Sequence, residues 1–302
     1  MKEYKSRKKS AELLILELLN KKKSLSTKDK QHYLNLKKGF EGEKLFDSLT
    51  ARLEYECIIL NDLLLKINNT VFQIDTLIIT SHKVYIFEVK NYVGEFYFEG
   101  EKFFKIPQYE IINPLHQLSR SESLLRQLFS KHGINLSIEA SVIFINSEFT
   151  LYQAPLNKPI IPPTKINGYL NQLNTISSKL KRNHKLYAEK LMSLHIEESP
   201  YYQLPDYNYN ELKKGICCID CDSFSISVVG VMCVCKECGH REKAASAIKR
   251  TVEEFKLLFP EQKITTNIIH EWCQVIDSKK RVRRILKKNY TKIGTNRWIY
   301  FE

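Results

Sequence analysis

QIDTLIITSHKVYIFEVKN, residues 73–91, is the stretch on which the fold turns. It contains two short apolar runs rich in β-branched and aromatic residues, separated by Ser81-His82, the pattern of two consecutive strands joined by a turn. Successive side chains on a strand point to opposite faces, so Glu88 and Lys90 share one face while Phe87 and Val89 take the other. Asp75 stands in the first run beside Ile74, where a buried carboxylate requires a counter-charge.

Working outward, CIIL (57–60) and TVFQIDTLIIT (70–80) are expected to be further strand, with Asn68-Asn69 as a turn. Upstream, leucines 13, 14, 18 and 19 recur at helical spacing, and a second helix runs through Tyr33, Phe40 and Phe46 after a polar break. Downstream, EFYFEGEKFFKI alternates about Glu99-Gly100 as a hairpin, Asn113-Pro114 opens a helix, and SIEASVIFIN (137–146) is another strand. Helices mixed with short strands describe an α/β domain ending near residue 160.

Carboxylates held on adjacent strands suit a hard divalent cation, Mg2+ or Mn2+, which prefers oxygen ligands and retains waters. Such an ion polarises a phosphodiester and lowers the pKa of a bound water, and Lys90 could orient that water or stabilise developing charge. An exposed Glu-Lys ion pair is the plainer alternative.

The residues around this trio resemble the nuclease-related domain family, NERD. KKGFEGEKLF supplies Gly39, Gly42 and Glu43; QIDTL supplies Asp75; FEVKNYVG supplies Glu88, Lys90 and Gly94; NPLHQL supplies Asn113, Pro114 and Gln117. The resemblance covers about residues 37–150. It implies a restriction-endonuclease-like α/β core of the PD-(D/E)xK type, a mixed sheet flanked by helices. It further implies Asp75 and Glu88 as metal ligands, Lys90 as the catalytic lysine, and Glu43 and Gln117 as supporting polar residues.

Six of the eight cysteines fall between Cys217 and Cys238. Cys218-x-x-Cys221 and Cys235-x-x-Cys238, thirteen residues apart, have the spacing of two knuckles that hold structural zinc, with strand and returning strand between them. Cys217, Cys233 and His240 adjoin the proposed ligands, and any of them could replace one. Cys57 and Cys273 lie among apolar neighbours as buried thiols.

In the last sixty residues Thr265 or Thr266 and Ser278 are placed to cap two short helices, and residues 290–301 alternate as a small hairpin, a helix-turn-helix with a possible wing. SKKRVRRILKKNY turns Val282, Ile285 and Leu286 inward and surrounds them with Lys279, Lys280, Arg281, Arg283, Arg284, Lys287 and Lys288, which could meet phosphates.

The formal charge is +13 over 302 residues, concentrated before Gly39 and after Lys236, which favours a polyanionic partner. No stretch approaches the roughly 20 apolar residues of a membrane span, and no secretory leader is legible, so a cytoplasmic location is expected. The expected division is a basic helical segment (1–36), the NERD domain (37–160), a helical linker (161–210), a zinc ribbon (211–242) and a basic helical, possibly winged-helix-like module (243–302). The expected function is metal-dependent phosphodiester hydrolysis, with DNA as partner and RNA next. The alternative is a nucleic-acid-binding scaffold without turnover.

Overall fold

A computed structural model describes residues 3–295 and 298–302. The first two residues of the expected N-terminal segment, and Asn296 and Arg297 of the expected C-terminal hairpin, lie outside the described residues. The chain forms two compact units, Met1–Ser10 with Leu34–Tyr202, and Ala11–Tyr33 with Gln203–Glu302. This grouping differs from the five consecutive segments read from the sequence, because each unit draws on separated stretches of chain.

In chain order the first elements are β1 (Glu3–Lys5), α1 (Ala11–Lys22), α2 (Thr27–Thr50), β2 (Ile58–Ile67), β3 (Thr70–Ile79) and β4 (Lys83–Lys90). They are followed by β5 (Gly94–Glu99), β6 (Lys102–Lys105), β7 (Tyr109–Ile111), α3 (Pro114–Lys131), β8 (Ser137–Phe144), β9 (Phe149–Tyr152), β10 (Ile160–Ile161), α4 (Pro163–Asn174) and α5 (Arg182–Ser193). A mixed sheet runs β1-β2-β3-β4-β8-β10. β2, β3 and β4 pair antiparallel, β4 with β8 and β8 with β10 parallel, and β1 with β2 parallel. This is the mixed, helix-flanked α/β core that the sequence implied.

Both faces of the sheet are covered, which is why its central strands read as nearly continuous apolar runs. Leu118, Leu125 and Leu128 of α3, with Ala188 and Leu191 of α5, pack on the face bearing Val84, Ile86 and Val142. Phe46 of α2 and Ile166, Leu170 and Leu173 of α4 pack on the face bearing Tyr85, Phe87 and Val89. Each buried leucine, isoleucine, valine or phenylalanine among them contributes roughly 1.5–3 kcal/mol. A smaller sheet, β7-β6-β5-β9, carries an aromatic cluster in which Phe144 and Phe149 stack with centroids 4.0 Å apart.

β2 is longer than the expected strand at 57–60. Asn61-Asp62 looks like a turn signal, yet the strand continues through it, with Asp62 at φ +56°. The side-chain alternation shifts there: Ile58 and Leu60 face the same core as Leu63 and Leu65. β3 shows the matching shift at the same level, with Ile74 and Leu77 sharing that core. The pairs Asn61–Thr76 and Leu63–Ile74 are formed, while Asp62 and Asp75 between them are unpaired. The sheet is therefore interrupted across two strands at the position of Asp75.

In the second unit, β11 (Ile226–Val229), β12 (Met232–Cys235) and β13 (Arg241–Lys243) form a three-stranded antiparallel sheet beside the cysteine knuckles. Three helices follow, α6 (Ala244–Leu258), α7 (Thr266–Cys273) and α8 (Lys279–Asn289), then a short pair, β14 (Lys292–Ile293) and β15 (Tyr300–Phe301). Thr265 caps α7 and Ser278 caps α8 through their hydroxyls, as the sequence indicated. Ile264 bridges Phe301, joining the segment before α7 to the terminal hairpin. Trp272, fully buried, centres this core with Phe255, Val282 and Leu286. Among the described residues no helix is long and apolar enough to cross a membrane.

Candidate functional site

The interruption of the sheet builds the acidic site. β3 and β4 pair as far as Thr76–Phe87 and then part, so the next two residues, Asp75 and Glu88, lie outside the ladder. The Asp75 side chain substitutes for the missing backbone acceptor: its Oδ2 accepts the Val89 N–H at 2.8 Å. Phe87 and Val89 face the opposite core, leaving Glu88 and Lys90 on the side of Asp75, the arrangement expected from strand alternation.

The Lys90 ammonium donates to Glu88 Oε1 at 2.6 Å and to Gln117 Oε1 at 2.9 Å. Gln117 lies in the first turn of α3, whose start is fixed by Pro114 and by Asn113, which accepts the Leu115 N–H. Glu88, Lys90 and Gln117 thus meet by direct contact, and Asp75 is held beside them through the N–H of Val89, which lies between Glu88 and Lys90.

Glu43 reaches the same region from α2. Gly42 makes that approach possible, since a Cβ there would lie 2.4 Å from the Asn91 Cβ. Asn91 donates to the Lys38 carbonyl at 2.7 Å and accepts from Asn146 at 2.8 Å, pinning α2 to the end of β4.

Burial dominates the electrostatics. Desolvation and the Asp75 charge push the Glu43 and Glu88 carboxyls up to about 8, and desolvation also raises Asp75. Burial acts against the Lys90 ammonium, but Glu88 and Asp75 outweigh it and raise Lys90 above its ordinary value. Two buried acids, Asp75 and Glu88, and the half-buried Glu43 resist ionisation alone and would ionise more readily around a cation.

Sequence reasoning missed Arg7. Its guanidinium, 2% exposed, donates to Glu43 Oε2 at 2.7 Å, to both oxygens of Asp47 at 2.9 and 3.1 Å, and to the Asp75 carbonyl at 2.6 Å. Lys5 similarly donates to the Asn61 and Asp62 carbonyls at 2.9 and 2.6 Å. Two cations read as part of a surface basic cluster are therefore internal donors. No local pattern announced them, because Arg7 and Asp75 are 68 residues apart.

The Sγ atoms of Cys218, Cys221, Cys235 and Cys238 lie within 4.8 Å of one another, a set able to hold a metal ion. Among the described residues this is the only group of three or more His, Cys, Asp or Glu that converges so closely, so the three carboxylates form a looser arrangement. The alternatives for the thiol cluster fall elsewhere. Cys217 Sγ contacts the Asp222 carbonyl, Cys233 is buried in the helical core, and His240 pairs with Asp220 at 2.7 Å. Backbone N–H donation from Cys238 and Glu237 lowers Cys235 to about 7, while neighbouring thiols raise Cys221 and Cys238, so in the metal-free cluster Cys235 is the thiol that ionises most readily. Cys57 and Cys273 are buried, as expected.

On α8, Val282, Ile285 and Leu286 face the core, and Lys279, Lys280, Arg283, Arg284, Lys287 and Lys288 are exposed. Lys279 donates to Asn267 and half-buried Arg281 to the Gly230 carbonyl at the ribbon tip, so these two are partly committed within the protein. Lys279, Lys280 and Arg283 line an open groove with Thr265, Thr266 and Asn267.

No curated protein and no solved structure gave a match. The family described as nuclease-related domain matches residues 38–145, the segment that carries Glu43, Asp75, Glu88, Lys90 and Gln117. Over those residues the chain is similar to that family, NERD.

Proposed function

We propose that this chain is a metal-dependent nuclease that hydrolyses phosphodiester bonds in DNA. The observation that carries the reading is the Asp75, Glu88, Lys90 and Gln117 constellation at the parting of β3 and β4, inside the nuclease-related segment. The donor set suits Mg2+ or Mn2+: Asp75 and Glu88 are buried carboxylates with raised pKa values, and Mg2+ needs only one or two such ligands beside its waters. When bound, the ion would polarise the phosphoryl oxygens and lower the pKa of a coordinated water.

Each side chain has a part in this reading. Asp75 and Glu88 would hold the ion. Lys90, fixed by Glu88 and Gln117, would orient the attacking water or stabilise charge developing on phosphorus-bound oxygens. Gln117 restrains Lys90, and Glu43 adds a third carboxylate for water or a coordinated aqua ligand. Cys218, Cys221, Cys235 and Cys238 would hold zinc structurally, since four thiolates close every tetrahedral position. The exposed cations of α8 would contact phosphates, independent of sequence.

A binding protein without turnover is the second reading, favoured by the direct Glu88–Lys90 ion pair at 2.6 Å, which can stand without any metal. One assay separates them: incubation of linear, circular and single-stranded DNA, and RNA, with Mg2+ or Mn2+, beside Lys90→Ala. Cleavage by the wild type alone supports the nuclease. DNA retention with no cleavage in either supports the binder.

A further inference from the structure

We propose that Arg7 is a positioning residue of the carboxylate site, acting through Glu43 and the Asp75 backbone, and that the arm at residues 3–7 completes that site. The inference rests on the metal-dependent reading above. The arm lies outside the nuclease-related segment at 38–145, so nothing in the family match anticipates it.

Asp62 and Asp75 form no ladder pair with each other, and an unsatisfied carbonyl in a protein interior costs about 1–3 kcal/mol. The arm supplies the missing donors. β1 pairs parallel with β2, which carries Lys5 to the Asn61 and Asp62 carbonyls and Arg7 to the Asp75 carbonyl.

Arg7 does more than satisfy a carbonyl. One planar group grips Asp47 through two nitrogens, Glu43 through a third contact, and the strand at Asp75 through a fourth. Glu43 on α2 is thereby fixed relative to the β3 backbone from which the Asp75 carboxylate projects. A guanidinium fork can make this set of bonds simultaneously and a single ammonium cannot. With its positive charge beside Glu43, Arg7 also offsets the repulsion among acids that have lost water.

The test uses the full chain as wild type, Arg7→Lys, Arg7→Met, Glu43→Gln and the Arg7→Met/Glu43→Gln pair. Mn2+ affinity is read by electron paramagnetic resonance, with kcat and KM for DNA cleavage alongside. Arg7→Met should weaken Mn2+ binding about 10- to 100-fold, the range for outer partners of metal ligands, and lower kcat while leaving KM nearly unchanged. Arg7→Lys should recover part of the loss, and in the Glu43→Gln background Arg7→Met should cost less than it does alone. Should Arg7→Met fail to fold, Arg7→Lys carries the test, with weakened Mn2+ binding in a folded protein as the supporting result. Wild-type Mn2+ affinity and kcat in folded Arg7 variants would overturn the positioning role and leave the nuclease reading standing. A wild-type chain that neither binds Mn2+ nor cleaves would overturn both.

Discussion

The Asp75 carboxylate accepts the Val89 N–H at 2.8 Å, so an acidic side chain stands where the sheet would ordinarily place a carbonyl. The same group therefore holds the backbone together and faces the site. These roles separate in Asp75→Asn, which keeps an oxygen acceptor and removes the charge. Because burial penalises the charged form, the metal-free variant should melt no lower than wild type while losing Mn2+ binding at least about tenfold. Calorimetry on the metal-free and Mn2+-titrated proteins measures both. A large fall in melting temperature with Mn2+ affinity intact would reverse the assignment.

The raised carboxyls set a pH dependence with a definite sign. Glu43 and Glu88 titrate near 8 in the fold against 4.5 ordinarily, so the folded chain binds more protons than the unfolded one between those values. Their contribution is fully present below about pH 4.5 and is lost as pH rises through about 8. Adding Mn2+ should raise the melting temperature more at pH 8 than at pH 6, because the ion competes with those protons. Thermal scans at both values, with and without the ion, check it; an ion-induced shift independent of pH would contradict it.

The thiol cluster makes a sharper demand. Cys235→Ser should cut zinc from about one equivalent per chain to a small fraction and destabilise the second unit, since four-thiolate sites supply folding energy. Cys217→Ser and Cys233→Ser should leave zinc content unchanged, their sulfurs lying outside the cluster. Metal analysis of the purified variants decides it.

The cations of α8 should act additively on nucleic-acid retention. Replacing Arg283, Arg284 and Lys287 with alanine in turn should each lower the salt slope of DNA binding by about one and weaken binding alike for unrelated sequences. Val282, Ile285 and Leu286 hold the helix from the other face, so its fold should survive. Fluorescence anisotropy over a salt series measures the slope, and an unchanged slope would remove α8 from the interface.

What was legible in the sequence follows from range of interaction. Strand alternation alone put Glu88 and Lys90 on one face opposite Phe87 and Val89, and cysteine spacing alone picked out the four thiols. The caps Asn113 and Ser278 were legible, and that of α7 to within Thr265 or Thr266, because a cap is a contact over two or three residues. Arg7 was illegible because its partners are distant in sequence and a lone arginine in SRKKS looks like surface charge. The length of β2 beyond residue 60 was illegible for a related reason: Asn61 and Asp62 interrupt the apolar run, and their carbonyls accept from Lys5, far away in sequence. The grouping into two units was equally hidden, since Leu19 of α1 packs with Trp272 across most of the chain.

The most direct test is cleavage of DNA by the purified protein with Mg2+ or Mn2+, set against Lys90→Ala. Phosphodiester hydrolysis that needs the metal and falls about 10²- to 10³-fold in Lys90→Ala is the expected result. Equal cleavage by both proteins, or none by the wild type while DNA remains bound, would contradict the assignment of Asp75, Glu88 and Lys90 as a hydrolytic centre.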